Sequence, residues 1–418
     1  MGTSENQDPG EANDAARSAG NEVGTDPADT IAVACDLLRI GVFFDGTKNS
    51  RDHTAAVEAW HTNVDLLEHL YLETQGGPEW ITVNGERRQA KFFSRYARGI
   101  GVEADGGTTT RGLAWGTGDE GVETRVANTI DELLNDIRTN ASGMEPCDIW
   151  FDTFGFSRGS AAARDFANGV NDGEITYGAS TMKVKFMGLF DTVSSVGNAG
   201  NTGNYEGVTL NTSIATAEVI FHITAKDEIR EYFPLTLASH GRRIQMVGAH
   251  SDIGGGYWPT NGTPDQDTFT YDPEDYPGVT AFYQDRWGVT NNSPGTGDND
   301  SVSTTVDEGY IWDTTERVIS TSSHHGLQFV SLNLMFDHAK DAGVPIGDSL
   351  PDTIEGSQVS MDANLTAYYE ALKSGAVRPE LEKSIRRRYA HFSSNNYSTW
   401  GQSPNLPQTN GRRVVATM

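Results

Sequence analysis

The chain has 418 residues, 58 of them acidic against 31 basic, and a formal net charge of −27. So negative a surface repels polyanions, which excludes nucleic acid as the natural partner. An apolar fraction of 36% over this length is enough for one large domain with insertions. Only eight of the basic residues are Lys, and a dense acidic, Lys-poor surface suits a chain kept soluble in high salt. The first residues carry no apolar segment of the Sec-signal kind, and no run reaches the length of a membrane-spanning helix. Synthesis in the cytoplasm is therefore expected, with a separate delivery route for any action elsewhere. Cys35 and Cys147 each stand at the entry to an apolar run and read as buried, reduced thiols rather than a disulfide framework.

In chain order, residues 1–30 are Gly-, Asp- and Asn-rich and read as a disordered tail. The run 37–44 is a buried strand, ended by the turn Asp45-Gly46-Thr47. Over 55–73 the apolar positions Val57, Trp60, Val64, Leu67, Leu70 and Tyr71 recur at helical spacing. A strand at 92–97 leads through a Gly/Thr-rich loop to a helix at 122–137. The strand 148–154 then runs directly into Gly155-Phe-Ser-Arg-Gly159 and an Ala-rich helix at 158–169. Further strands at 184–190, 219–223 and 243–248 follow, the first ending at Asp191 and the last at His250. Strands alternating with helices predict an α/β fold of the α/β-hydrolase kind over residues 31–400, its mostly parallel central sheet flanked by helices. The segment 262–315 is a strongly acidic insertion with a single Arg, Arg286, and is a candidate lid or cap. Helices resume at 326–342 and 361–376, a basic cluster follows at 379–390, and 401–418 reads as a second tail.

The chemistry concentrates at Gly155-Phe-Ser-Arg-Gly159. A nucleophile elbow needs small residues on both sides of its Ser, because the strand-to-helix turn leaves no room for a Cβ. A strand before the motif and a helix after it are the context that such an elbow requires. The competing interpretation is a tight turn with an incidental Ser. A Ser nucleophile needs a base and a carboxylate that orients the base. Asp191 stands at the C-terminal end of a strand, the ligand-binding edge of a parallel sheet, although an N-cap would also suit it. His250, in Ala249-His-Ser-Asp-Ile-Gly254, is the most site-like of the ten histidines. His222 and His391 are secondary candidates, and Asp252 is either a local partner for His250 or a structural anchor. His324 and His325 suit a helix start, and His53, His61 and His69 a surface helix. For the oxyanion hole the candidates are the amide of Arg158 and the turn Asp45-Gly46-Thr47.

Taken together, these stretches resemble the type VI secretion lipase effectors of the first lipase family. The resemblance rests on Phe43-Phe-Asp-Gly-Thr47, Arg95-Tyr-Ala-Arg-Gly-Ile-Gly101, the Ser157 motif, Gly188-Leu-Phe-Asp-Thr-Val-Ser-Ser-Val196, residues 222–230, Gly248-Ala-His-Ser-Asp-Ile-Gly-Gly-Gly256 and the weaker echo Arg388-Tyr-Ala-His-Phe-Ser393. It implies a triad of Ser157, Asp191 and His250 and phospholipase A1 or A2 activity on membrane glycerophospholipids. It further implies delivery by a secretion spike into a rival's periplasm, an antibacterial role, and a cognate immunity protein as partner.

Two other function classes remain open on the residues alone. Phe43-Phe-Asp-Gly-Thr47 faintly matches the start of an aspartyl-phosphate-forming, metal-dependent phosphohydrolase, with Thr47 where a second carboxylate is needed. A non-catalytic binding protein on a hydrolase scaffold is the other. The serine chemistry requires no cofactor. The acidic insertion leaves room for Ca²⁺, without an EF-hand spacing, and solvated acid is the simpler interpretation.

Overall fold

The computed structural model describes residues 35–51, 61–257 apart from 106, 110, 111, 113 and 114, then 265–271, 277–287, 301–303, 307–308, 313–314, 317–393 and 413–418. Its spine is a seven-stranded sheet. The strands are β1 (Asp36–Phe44), β2 (Glu79–Val83), β3 (Glu86–Ala97), β4 (Pro146–Phe156), β5 (Thr181–Phe190) and β6 (Val219–Ala225), closed after the short β7 (Leu235–Leu237) by β8 (Arg242–Met246). Their order is β2-β3-β1-β4-β5-β6-β8, and all neighbours are parallel except the β2–β3 hairpin. The expected mostly parallel α/β sheet is thus present.

Alternation along β1 shows how the sheet is buried on both faces. Leu38, Ile40, Val42 and Phe44 point into one apolar cluster, where α2 (Val122–Asn140) and α3 (Arg158–Asn171) pack. Phe43 points into the other, with Phe154 and Phe186, beneath α1 (Asn63–Leu70) and α6 (Leu327–Asp341). A side chain buried on either face stays out of water, which is why these strands are nearly continuous apolar runs. A buried charged exception is Asp152, which takes both Arg39 Nε and Nη2 at 2.8 and 2.9 Å and the Tyr71 hydroxyl at 3.0 Å. Cutting one partner from such a pair costs roughly 3–5 kcal/mol.

The chain leaves β1 for β3 on one side and returns to β4 on the other. That reversal of strand order opens a crevice at the carboxyl ends of β1 and β4, where open α/β sheets bind ligands.

Several expectations shift. The helix expected over 55–73 is α1, shorter, with Thr62 accepting from Asp65 N at its start; Val57 and Trp60 lie outside the described residues, as does His53. Cys35 and Cys147 are not buried thiols. They form a disulfide across the amino ends of β1 and β4, with Cα atoms 5.8 Å apart, Cys35 being exposed.

Of the acidic segment 262–315, a strand Asp265–Tyr271 pairs antiparallel with Arg317–Ser323, and α5 (Pro277–Trp287) buries Phe282, Tyr283 and Trp287. Between α6 and the end lie α7 (Ala363–Ser374) and α8 (Pro379–Tyr389). Residues 413–418, taken from composition as part of a tail, form a strand Val415–Thr417 beside β7. Among the described residues no helix is long and apolar enough to cross a membrane.

Candidate active site

Ser157 stands between β4 and α3 with φ 58° and ψ −125°, a backbone conformation that an L-residue adopts only under constraint. The constraint is steric. A Cβ on Gly155 would lie 2.4 Å from Gly159 O, and one on Gly159 would lie 2.2 Å from Phe44 O and 2.4 Å from Asp45 O. The motif glycines therefore let α3 close down on the end of β1. Ser157 N donates to Phe190 O at 3.1 Å, which sets the serine beside the end of β5.

The next residue on β5's exit is Asp191, fully buried and at φ 41°. Its Oδ2 lies 2.6 Å from His250 Nδ1, and its Oδ1 accepts from Ala225 N at 2.8 Å and from Arg413 Nη1 at 2.6 Å. Burial pushes this carboxyl up, but Arg413 and His250 outweigh it and hold it well below the ordinary carboxylate range. Asp191 is thus an anion at any physiological pH.

His250 opens the short helix α4 (His250–Gly254) after β8. Its ring lies between Phe156, 4.6 Å away centre to centre, and the edge of Phe233 at 5.2 Å. The backbone N–H of His250 donates to Glu228 Oε2 at 3.3 Å. Nε2 is buried and makes no hydrogen bond among the described residues. Burial lowers the imidazole below its usual value, and Asp191 offsets part of that effect. The ring is therefore neutral near pH 7 with its Nδ1 proton facing Asp191, which leaves the Nε2 lone pair available.

The amides at the end of β1 are partly committed. Asp45 N donates to Ala97 O at 3.1 Å and Gly46 N to Asp45 Oδ1 at 2.7 Å, so neither residue named from the sequence offers a spare N–H. The Thr47 N–H has no such partner among the described residues. Asp45 also accepts from Thr62 Oγ1 at 2.7 Å and Tyr96 Oη at 2.5 Å. Burial first, then the nearby Asp65, pushes its carboxyl up to about 7. The Arg158 side chain turns back toward Thr47 Oγ1 and Gly112 O, both at 3.4 Å, and burial lowers its guanidinium to about 10.

The secondary candidates bond to the surrounding framework. His222 sits between Thr192 and Ala238, and burial drives it down to about 3, so it stays neutral. Asp252 accepts from Ala249 N at 2.8 Å and from His391 N at 3.0 Å, with His391 Nδ1 2.7 Å from its other oxygen. The pair anchors the His250 loop to the end of α8. His61 and His69 both pair with Asp65 of α1, and His69 is exposed there as a surface-helix position should be. Arg413 had no sequence signal beyond its charge, and Glu228 stood within the stretch 222–230 without a role of its own. They reach the site from loops whose approach is set by the tertiary fold.

Residues 168–271 match the family model of the T6SS phospholipase effector Tle1-like catalytic domain, a span that holds Asp191, His222 and His250. A solved structure of the Tle1 effector bound to the VgrG spike of the type 6 secretion system is 22% identical, over 93% of this chain and 95% of that one, with a TM-score of 0.63. A crystal structure of an uncharacterized protein from Pseudomonas aeruginosa is 19% identical over 84% of this chain and 52% of that one, TM-score 0.46. No curated protein matches in sequence. Residues 168–271 thus carry the signature of the Tle1-like phospholipase effector catalytic domain of type VI secretion, within a chain that has the fold of Tle1.

Proposed function

We propose that the protein is a serine acyl-ester hydrolase, a phospholipase A1 or A2 delivered by type VI secretion to act on the glycerophospholipids of a rival cell. The observation that carries this reading is the contact between Asp191 Oδ2 and His250 Nδ1 at 2.6 Å, with Ser157, held in the strained elbow conformation, donating its backbone N–H to O of Phe190, the residue before Asp191. Ser157 Oγ attacks the ester carbonyl while His250 Nε2 takes its proton. Asp191 stays ionised and holds the imidazolium. His250 then gives the proton to the leaving alcohol, and water repeats the sequence to release the fatty acid.

The oxyanion would rest on the amides of Arg158 and Thr47, the second donor moving one residue along the turn from Gly46. Each donor of this kind lowers the barrier by about 3–4 kcal/mol. A serine that bonds its base only once substrate has closed the site is common in ligand-free enzymes.

The fold shared with a spike-bound effector supports a spike protein as partner. A periplasmic immunity protein belongs to the same reading. A phosphohydrolase built on Asp45 is less well supported, because both of its oxygens already accept hydrogen bonds.

The test is a product analysis of mixed phosphatidylethanolamine and phosphatidylglycerol vesicles with wild type and Ser157→Ala. Free fatty acid and lysophospholipid should appear with the wild type, and the rate should fall by roughly 10⁴-fold or more in the variant. Phosphate-containing headgroup products, or equal rates, would remove Ser157 from the mechanism.

A further inference from the structure

Arg413 lies more than 160 residues beyond His250 in sequence, outside the span that matches the family model, yet its side chain is only 6% exposed. Its Nη1 donates to Asp191 Oδ1 at 2.6 Å, and its Nε donates to Phe233 O. One guanidinium therefore grips both the carboxylate bonded to His250 and the backbone of the aromatic residue whose edge faces the imidazole.

The segment that brings it there is firmly docked. Leu235 N donates to Val414 O, Met418 N to Leu237 O and Ser239 N to Met418 O, between 2.8 and 3.0 Å. Arg164, buried on α3, donates to Leu210 O, Thr236 O and Met418 O at 2.7–2.9 Å. Thus α3, which begins just after Ser157, also holds the strand that carries Arg413.

We infer that Arg413 is a positioning residue for the Asp191–His250 pair, delivered in cis by docking of the C-terminal strand on β7. The inference rests on the serine-hydrolase reading. Asp191 Oδ1 receives one backbone N–H and one guanidinium N–H. Without the guanidinium, a carboxylate with no solvent access would be under-bonded, free to rotate or to hold a proton, and either change misdirects Nδ1 of His250. The charged groups facing His250 are Asp191 and Glu228 on one sign, Arg230 and Arg413 on the other.

The experiment compares full-length wild type, Arg413→Ala and Arg413→Lys on a soluble short-chain p-nitrophenyl ester, with melting curves alongside. In Arg413→Ala, kcat should fall about 10- to 100-fold, the usual loss when an orienting partner is removed, with KM little changed. The acid limb of kcat/KM should move to higher pH, because a cation facing the imidazole is gone. Millimolar guanidinium should restore part of kcat, and Arg413→Lys, which keeps a charge and one donor, should lie between. A folded Arg413→Ala with kcat within about twofold of wild type and an unmoved pH profile overturns the inference. If Arg413→Ala does not fold, Arg413→Lys decides: a wild-type kcat and pH profile overturns it, and a reduced kcat with normal melting supports it. A wild type that neither cleaves esters nor labels at Ser157 with a fluorophosphonate would sink the hydrolase reading instead, and is distinct from these outcomes.

Discussion

Asp191 has no exposure and three close partners in His250, Ala225 and Arg413, so its ionisation is built in. Asp191→Asn presents an amide to Nδ1 and favours the wrong imidazole tautomer; we expect kcat to drop by about 10⁴-fold with the fold intact, as single-turnover kinetics would register. In the wild type, burial outweighs Asp191 at His250, so the acid limb of kcat/KM should fall below pH ~6.5, the ordinary imidazole value. A limb at pH 7.5 would contradict that environment. Asp45 behaves in the opposite sense. Its folded pKa of about 7 lies above the unfolded value, so between pH ~4 and ~7 the folded state holds a proton that the unfolded chain has released. Its contribution to stability is therefore lost as pH rises through that window. Asp45→Asn keeps an acceptor for Gly46 and Thr62 and does not ionise, so its stability relative to wild type should rise between pH 5 and pH 8. Urea melts at the two pH values measure this, and a constant difference would refute it.

Elements decide which of these residues could be read in advance. Ser157, Asp191 and His250 each lie just beyond the carboxyl end of a strand, β4, β5 and β8, and the parallel sheet sets those ends on one edge. That local signature made them legible. Arg413 was not, because its bonds to Asp191 and Phe233 span 222 and 180 residues and no local pattern marks them, and the contact of Glu228 with the His250 backbone N–H spans 22. The hairpin of β2 and β3 also escaped sequence reasoning. Its turn, Asn84-Gly85, has φ of 54° and 82° as a tight hairpin requires, but β2 is a largely exposed edge strand without the apolar alternation that announces a buried one. At the elbow, Gly159→Ala would drive a methyl into two carbonyl oxygens of the Phe44–Asp45 turn. The backbone there cannot give way without opening the β1–β4 crevice. We expect a loss of about 3 kcal/mol or more in denaturant melts, together with loss of activity.

At the scale of the whole molecule, one feature was hidden in the sequence. Composition could not say whether Cys35 and Cys147 meet, since 112 residues separate them and the register of β1 on β4 decides it. A cross-link closing a loop of that length contributes on the order of 4 kcal/mol through the unfolded chain. A reducing agent should therefore lower the melting temperature of wild type and leave a Cys35→Ser, Cys147→Ser variant unmoved. The net charge of −27 is a second global term. Self-repulsion of that size is screened by added salt, so stability should climb from dilute buffer toward molar NaCl, as the acidic, Lys-poor surface suggests.

The same two strands carry the sulfur bridge at their amino ends and the turn-and-elbow at their carboxyl ends. Nine residues of β1 put roughly 30 Å between them. A dye or spin label attached to either sulfur after mild reduction would ride on the far pole of the sheet. It could report how the molecule orients on a vesicle while leaving the elbow end of the sheet untouched.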